Sequence, residues 1–279
     1  MKIEEAYEYG IHILTDAGIN DAKSDTLLLL HYICHIERGD LYAHGDRILE
    51  DNLNEKYAEA LKRRVLHEPL QHITGFQEFM GLEFCVNNCV LVPRQDTEIL
   101  VEEVLKNLQD GSRILDMCTG SGCILLSLLH YSNNCEGIGV DISDEALEIA
   151  TQNADRLDIG ATFSKSNLFD SIDGKFDFIV SNPPYIRSEV IPTLMEEVKD
   201  FEPIIALDGK EDGLYFYRQI IESGKNYLQH GGMLYFEIGF DQAADVSALM
   251  KDAGFQNIVI VKDYALFDRV VFGTFMEEI

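Results

Sequence analysis

Positive charge is scarce in this sequence. Only 22 Lys and Arg stand against 49 Asp and Glu, a formal net charge of −27. Binding to nucleic acid draws its affinity from Lys and Arg that neutralise phosphates. Up to Val92 there are 8 such residues against 16 acidic ones, and beyond it 14 against 33, so neither part forms a basic module. Direct nucleic-acid partners are therefore not expected. Solubility and a basic protein partner both account for the acidity. Long apolar runs are missing too: none approaches the roughly 20 residues that cross a bilayer. Residues 2–10 are acidic where a secretory signal is basic and then apolar. Membrane and export classes drop out, and a cytoplasmic protein is expected. None of the six cysteines (Cys34, Cys85, Cys89, Cys118, Cys123 and Cys135) belongs to a Cys-x-x-Cys pair, which points to reduced thiols rather than bridges or a zinc cage. No His-Glu-x-x-His pattern exists, and His31 and His35 beside Cys34 read as helix packing; no metal is expected.

What is present is ordinary for a globular protein: 46% hydrophobic and 25% charged residues in 279, enough for about two domains at ~150 residues each. Residues 1–72 read as a small helical domain, with Ile3, Ala6, Tyr7, Ile11 and Leu14 at helical spacing, a second apolar stretch over 26–36 and a third helix over 53–65. Residues 73–93 change period and read as a β-hairpin linker, with Gly75, Gly81 and Asn87-Asn88 between short apolar runs. Residues 94–279 alternate strands and helices. Strands are predicted at 113–117, 136–142, 161–165, 176–181, 233–238, 257–261 and 269–274, with helices at 97–107, 123–131, 144–157, 214–228 and 242–251. Such alternation predicts a mostly parallel sheet covered on both faces. Seven residues between the last two strands are too few for a helical crossover, so the last strand is expected to be antiparallel.

Two motifs carry chemistry. Asp116-Met117-Cys118-Thr119-Gly120-Ser121-Gly122 lies where the first sheet strand meets a helix, the place where open α/β sheets bind nucleotides. Asp141 follows 19 residues after Gly122, at the end of the next strand, where a carboxylate can take both ribose hydroxyls. These features leave NAD and S-adenosylmethionine open, although Leu125 occupies the third glycine position of the NAD fingerprint. The second motif, Asn182-Pro183-Pro184-Tyr185, directly follows the fourth strand. Two prolines cannot continue a ladder and stiffen the loop. If the Asn182 side-chain oxygen and the Pro183 carbonyl hold the two hydrogens of a planar amide, and Tyr185 packs on its face, the nitrogen lone pair is aimed at an electrophilic methyl.

This order of motifs resembles the class I S-adenosylmethionine-dependent amino methyltransferases, and more specifically the HemK or PrmC family of release-factor glutamine methyltransferases. The likeness extends over Pro69-Leu70-Gln71, Val90-Leu91-Val92-Pro93-Arg94-Gln95-Asp96-Thr97-Glu98, Phe201-Glu202-Pro203, Ala206-Leu207-Asp208-Gly209, Glu211-Asp212-Gly213-Leu214 and Asp268-Arg269-Val270-Val271. It implies a Rossmann-like seven-stranded sheet with the last strand antiparallel, beside a helical substrate-recognition domain. It further implies methylation of the side-chain amide of the Gly-Gly-Gln glutamine of peptide chain release factors, with S-adenosylmethionine converted to S-adenosylhomocysteine. By the same resemblance Cys118, Thr119, Gly120, Ser121 and Gly122 wrap the cofactor's methionine part, Asp141 binds its ribose, and Asn167 and Leu168 border its adenine. Asn182, which also faces the cofactor, Pro183, Pro184 and Tyr185 hold the glutamine, with Asn182, Pro183 and Tyr185 as the catalytic set.

Cys118 stands where the family has its first glycine, Gln95 where it has proline, and Ala265-Leu266-Phe267 where a glycine-containing turn is usual. Residues Arg94, Asp96 and Glu98 read either as a helix-start network or as a border of the cofactor, and Lys62-Arg63-Arg64 as a solvated helix end or a partner contact. Rival activities are methylation of a ribosomal-protein glutamine or of an exocyclic base amine such as adenine N6. From another class, a non-catalytic cofactor sensor on the same fold remains.

Overall fold

A computed structural model describes residues 1–276. The chain divides into two compact units: Met1–Phe76 with Met195–Phe201, and Gln77–Leu194 with the residues from Glu202 onward.

The first unit is helical: α1 (Ile3–Asp16), α2 (Ala22–Cys34), α3 (Arg38–Ala43), α4 (Asp51–Val65) and α5 (Leu70–Thr74). Helix α1 buries Ile3, Ala6, Gly10 and Leu14, one stripe at three- and four-residue spacing. They pack on Leu29 and Leu30 of α2 and on Tyr57 and Leu61 of α4, and the Tyr57 hydroxyl donates to the Ala6 carbonyl at 3.0 Å. Arg64 is buried rather than solvated: its Nε donates to Asp25 Oδ2 at 2.7 Å, Nη2 to Glu197 Oε1 at 2.7 Å and Nη1 to the Glu68 carbonyl at 2.9 Å. Arg63 pairs with Glu68. The solvated-end reading fails for Arg64, which is consumed inside this unit, while Lys62 stays exposed. Glu197 lies on the short helix α9 (Glu196–Lys199), which explains why a segment remote in sequence joins the unit.

The second unit begins with a two-residue hairpin, β1 (Phe76–Phe79) and β2 (Leu82–Cys85). Met80 and Gly81 turn it with φ of 51° and 69°, both positive as the twist of such hairpins requires. The turn sits there and not at Asn87-Asn88. Then follow α6 (Gln95–Asn107), β3 (Arg113–Met117), α7 (Cys123–His130), β4 (Glu136–Asp141), α8 (Asp144–Leu157), β5 (Thr162–Lys165), β6 (Phe176–Ser181), α10 (Ile204–Leu207), α11 (Tyr215–Gly224), β7 (Leu228–Glu237), α12 (Ala243–Asp252), β8 (Phe255–Lys262) and β9 (Asp268–Phe275). The seven-stranded sheet runs β5-β4-β3-β6-β7-β9-β8, with β5 through β7 mutually parallel and β9 antiparallel to both neighbours, as expected.

Strand alternation builds both cores. Leu115, Ile179, Leu234 and Phe236 face Tyr217, Ile220 and Val246 of α11 and α12, while Ile114, Phe178, Val180 and Tyr235 face α6 and α7. The predicted helix over 214–228 is shorter than expected. It stops at Gly224, and β7 starts at Leu228, five residues before the predicted strand start at Met233. Strand order reverses between β3 and β6, and the candidate site lies at the carboxyl ends of these strands.

Candidate active site

One residue before the end of strand β3 stands Asp116, fully buried, whose Oδ2 accepts from the Thr119 hydroxyl at 2.6 Å; burial pushes this carboxyl up to about 7. Three residues of the following loop have left-handed backbone: Cys118 (φ 62°), Gly120 (53°) and Gly122 (78°). At Gly122 a side chain would also press on Phe163, Ala150 and Leu126 at 3.1 to 3.3 Å, so glycine is required. Cys118 takes the same backbone region with a Cβ, which explains why glycine is usual there and costs roughly 1–2 kcal/mol. The loop is pinned from behind by the buried Asn153 of α8: its Nδ2 donates to the Ser121 and Cys85 carbonyls at 2.9 and 3.0 Å, and its Oδ1 accepts from the Cys85 amide at 2.7 Å.

At the end of β4 the Asp141 carboxylate is held by two backbone amides, Oδ2 by Gly120 at 3.0 Å and Oδ1 by Ser143 at 3.0 Å. A cavity of about 320 Å³ opens here. Cys118, Thr119, Gly120, Ser121, Asp141, Asn167, Leu168, Asn182 and Pro184 all line it. Gly122, Pro183 and Tyr185 do not. Gly122 lies beneath the loop, Pro183 is buried, and Tyr185 points its hydroxyl to Glu237 Oε1 at 3.3 Å.

The loop after β6 is clamped from below. The Gly209 amide donates to the Ile186 carbonyl at 2.8 Å, and a side chain at Gly209 would meet the Tyr185 Cα at 2.7 Å, so only glycine allows the two backbones this close. Gln242 Nε2 donates to the carbonyls of Tyr185 and Gly213 at 3.1 and 3.2 Å.

The structure separates the two readings of Arg94, Asp96 and Glu98. Arg94 Nη2 bonds both Glu202 oxygens at 2.6 and 2.7 Å, tying the Arg94 motif to the Phe201-Glu202-Pro203 motif, and Arg94 borders the cavity. Asp96 pairs with Arg269 at 3.3 Å, and Glu98 accepts from the Met80 amide at 2.6 Å. Sequence reasoning missed Thr97 and Glu237. Thr97 also lines the cavity and accepts from Asn182 Nδ2 at 3.4 Å. Glu237 is 2% exposed, and burial pushes its carboxyl up to about 6 although Thr97, Arg269 and Tyr185 favour its charged form. A carboxylate closing the apolar run Leu234-Tyr235-Phe236 was the available signal.

Comparison with known proteins agrees with this geometry. Residues 5–75 match the PrmC N-terminal domain model and residues 94–198 the methyltransferase small domain model. The release factor glutamine methyltransferase of Clostridium acetobutylicum is 41% identical over 278 residues, which cover 97% of this chain and 98% of the relative. This chain belongs to the release factor glutamine methyltransferase family. Within that family, the Moorella thermoacetica member is 37% identical over 284 residues and is covered completely, as is this chain. A methyltransferase from Pyrococcus furiosus, 18% identical, aligns with a TM-score of 0.55 over 77% of this chain and 98% of its own; at that identity the likeness shows the fold alone. Membership in the family and the seven-stranded methyltransferase fold, both expected from the motifs, are thereby established.

Proposed function

We propose that this chain transfers a methyl group from S-adenosylmethionine to the side-chain amide nitrogen, N5, of the glutamine in the Gly-Gly-Gln motif of peptide chain release factors, and so acts in translation termination in the cytoplasm. One observation carries the reading: Gly120 and Asp141 share a single cavity with Asn182 and Pro184, in a family whose members are called release factor glutamine methyltransferases.

The residues present suit the cofactor. Space beside Gly120 is open, with no atom within 4 Å of where a side chain would start, so a ligand can lie against the loop backbone. Two amides fix the Asp141 carboxylate, and its remaining lone pairs can receive ribose hydroxyls. Ile142 and Leu168 add apolar surface for a base. When bound, S-adenosylmethionine supplies an electrophilic methyl on a sulfur that already carries positive charge, a chemistry that calls for no metal.

The chain's own task is positioning. Because Asn182 gives its Nδ2 hydrogen to Thr97, its Oδ1 is the atom left to accept one hydrogen of the target amide. The Pro183 carbonyl takes the other hydrogen and the Tyr185 ring packs on the amide face, so that conjugation with the carbonyl is lost as the nitrogen attacks. The nitrogen's surplus proton passes to water.

The test is transfer of labelled methyl from S-adenosylmethionine to purified release factor, ribosomal protein or nucleic acid. Label on release factor that disappears when the motif glutamine is replaced by glutamate is the expected result. Label on ribosomal protein or nucleic acid alone overturns the proposal.

A further inference from the structure

Two aromatic side chains stand uncovered beside the Asn182 to Tyr185 loop. Phe240, in the turn between β7 and α12, is 63% exposed, and Phe267, in the turn between β8 and β9, is 53% exposed. Their ring centroids lie 5.9 Å apart at an interplanar angle of 63°, an edge-to-face contact. Leu266 extends the apolar surface and is 75% exposed. Core packing does not account for these residues, since each leaves more than half of its area in water.

Both turns are built to hold the rings out. In the first, the Gly239 amide donates to Gln242 Oε1 at 2.9 Å and the Gln242 amide to the Gly239 carbonyl at 3.0 Å. In the second, the Phe267 amide donates to Asp263 Oδ1 at 2.9 Å and the Leu266 amide to the Asp263 carbonyl at 2.9 Å, with Leu266 in the left-handed region at φ 69°. Arg269 ties the turns together: its Nη2 donates to Asp263 Oδ2 at 3.0 Å and its Nη1 to the Ile238 carbonyl at 3.3 Å. The first turn also grips the substrate loop. Gln242 Nε2 donates to the Tyr185 carbonyl at 3.1 Å, and Asp241 pairs with Arg187, two residues past Tyr185, at 2.9 Å. The ring pair therefore adjoins the place proposed for the glutamine. Its rim is acidic: the nearby cations Arg187, Lys262 and Arg269 are each paired with a carboxylate, whereas Glu102, which accepts from the Tyr264 hydroxyl at 3.4 Å, has no cation of its own among the described residues.

We propose that Phe240 and Phe267 form a docking anchor for the release factor: an apolar side chain near its Gly-Gly-Gln glutamine, flanked by basic residues, seats on the ring pair and delivers the glutamine to the adjoining loop.

Rings already fixed against each other lose little freedom on binding, and covering them removes apolar surface that folding left in water. The acidic rim favours a basic partner and disfavours a second copy of this chain, which carries the same −27 charge. Neither ring lines the cofactor cavity. The anchor thus strengthens binding of the protein substrate without touching the cofactor.

This inference rests on the proposed methylation of release factors and adds where the substrate is held. In steady-state transfer to release factor at saturating cofactor, Phe240→Ala and Phe267→Ala should each raise KM ~10- to 30-fold, the scale of a lost interface anchor, with kcat within about twofold. Cofactor affinity by calorimetry should match wild type, which also reports that the variants are folded. Because the rings act as one anchor, the double variant should raise KM by less than the product of the single effects. Phe267→Tyr should keep KM within about threefold of wild type. Both Phe267→Glu and Phe267→Lys lose the ring, and Phe267→Glu should have the lower KM because the partner is basic; the reverse order overturns the partner chemistry. A KM for the double variant equal to wild type overturns the inference and leaves the methylation standing. Wild type that neither labels nor binds release factor overturns both. A wild-type dimer in sedimentation that the double variant abolishes, with KM unmoved, gives the rings to a second copy of the chain and also overturns it.

Discussion

Each unit buries a charged cluster, and the two are built differently. In the helical unit Arg64 spends all three guanidinium nitrogens, on Asp25, Glu197 and the Glu68 carbonyl, so donors and acceptors balance. In the methyltransferase unit Glu237 is as deeply buried, but its Oε2 has no hydrogen bond of ordinary geometry and its carboxyl is raised to about 6. Burial alone does not mark a functional charge. A saturated cluster holds segments together, and an unsaturated one beneath the Asn182 loop leaves a buried carboxyl raised.

Arg64→Ala should have the largest effect. Removing one partner of a buried pair costs ~3–5 kcal/mol, and the lower end applies because Glu197 is 37% exposed and can turn to water. Chemical denaturation should register about 3 kcal/mol lost, with cofactor affinity unchanged; loss of cofactor binding in a folded variant would make the Arg64 cluster functional after all. On the other side, Asn182→Ala should lower single-turnover rate by ~10² to 10³ with cofactor affinity down less than about tenfold. Retention of more than about a tenth of the rate removes Asn182 from the mechanism. Asp141→Ala should weaken S-adenosylmethionine by about 1–3 kcal/mol in calorimetry, since charge-assisted hydrogen bonds vanish, and wild-type affinity would refute the ribose role. The smallest change is Cys118→Gly. Relief of the left-handed backbone, offset by greater freedom of the unfolded chain, should raise stability by about 0.5 kcal/mol and leave affinity at least equal. A large loss of affinity would give the Cys118 side chain a role of its own.

The sheet was legible because its strands are short apolar runs whose alternating residues must reach two opposite cores. Segment 176–181 and helix Asp144–Leu157 appear with their expected bounds. Helices of four to six residues, such as Arg38–Ala43 and Ile204–Leu207, complete too little of a period to be read. In the site, Gly120, Asp141 and Asn182 were legible because each lies at or just past the carboxyl end of a strand, beside the sheet's switch point. Thr97 and Glu237 were not, since their meaning lies in partners 85 residues and 52 residues away. The same holds for Arg94, whose partner Glu202 is 108 residues on. Charge and spacing name such residues but do not pair them.

Strand β9 follows β8 in sequence yet lies between β7 and β8. During synthesis β7 therefore leaves the ribosome with an open edge, and β8 stays unzipped until the final strand threads between them. Glu237 ends β7 and Arg269 sits on β9, so the charge environment beneath the Asn182 loop is assembled at the same late moment. Nascent chains stalled before Asp268 should consequently show helical-unit protection to protease but no methyl-transfer activity, and both should be present once β9 has cleared the exit tunnel. An active stalled chain would show that the site matures without its last strand.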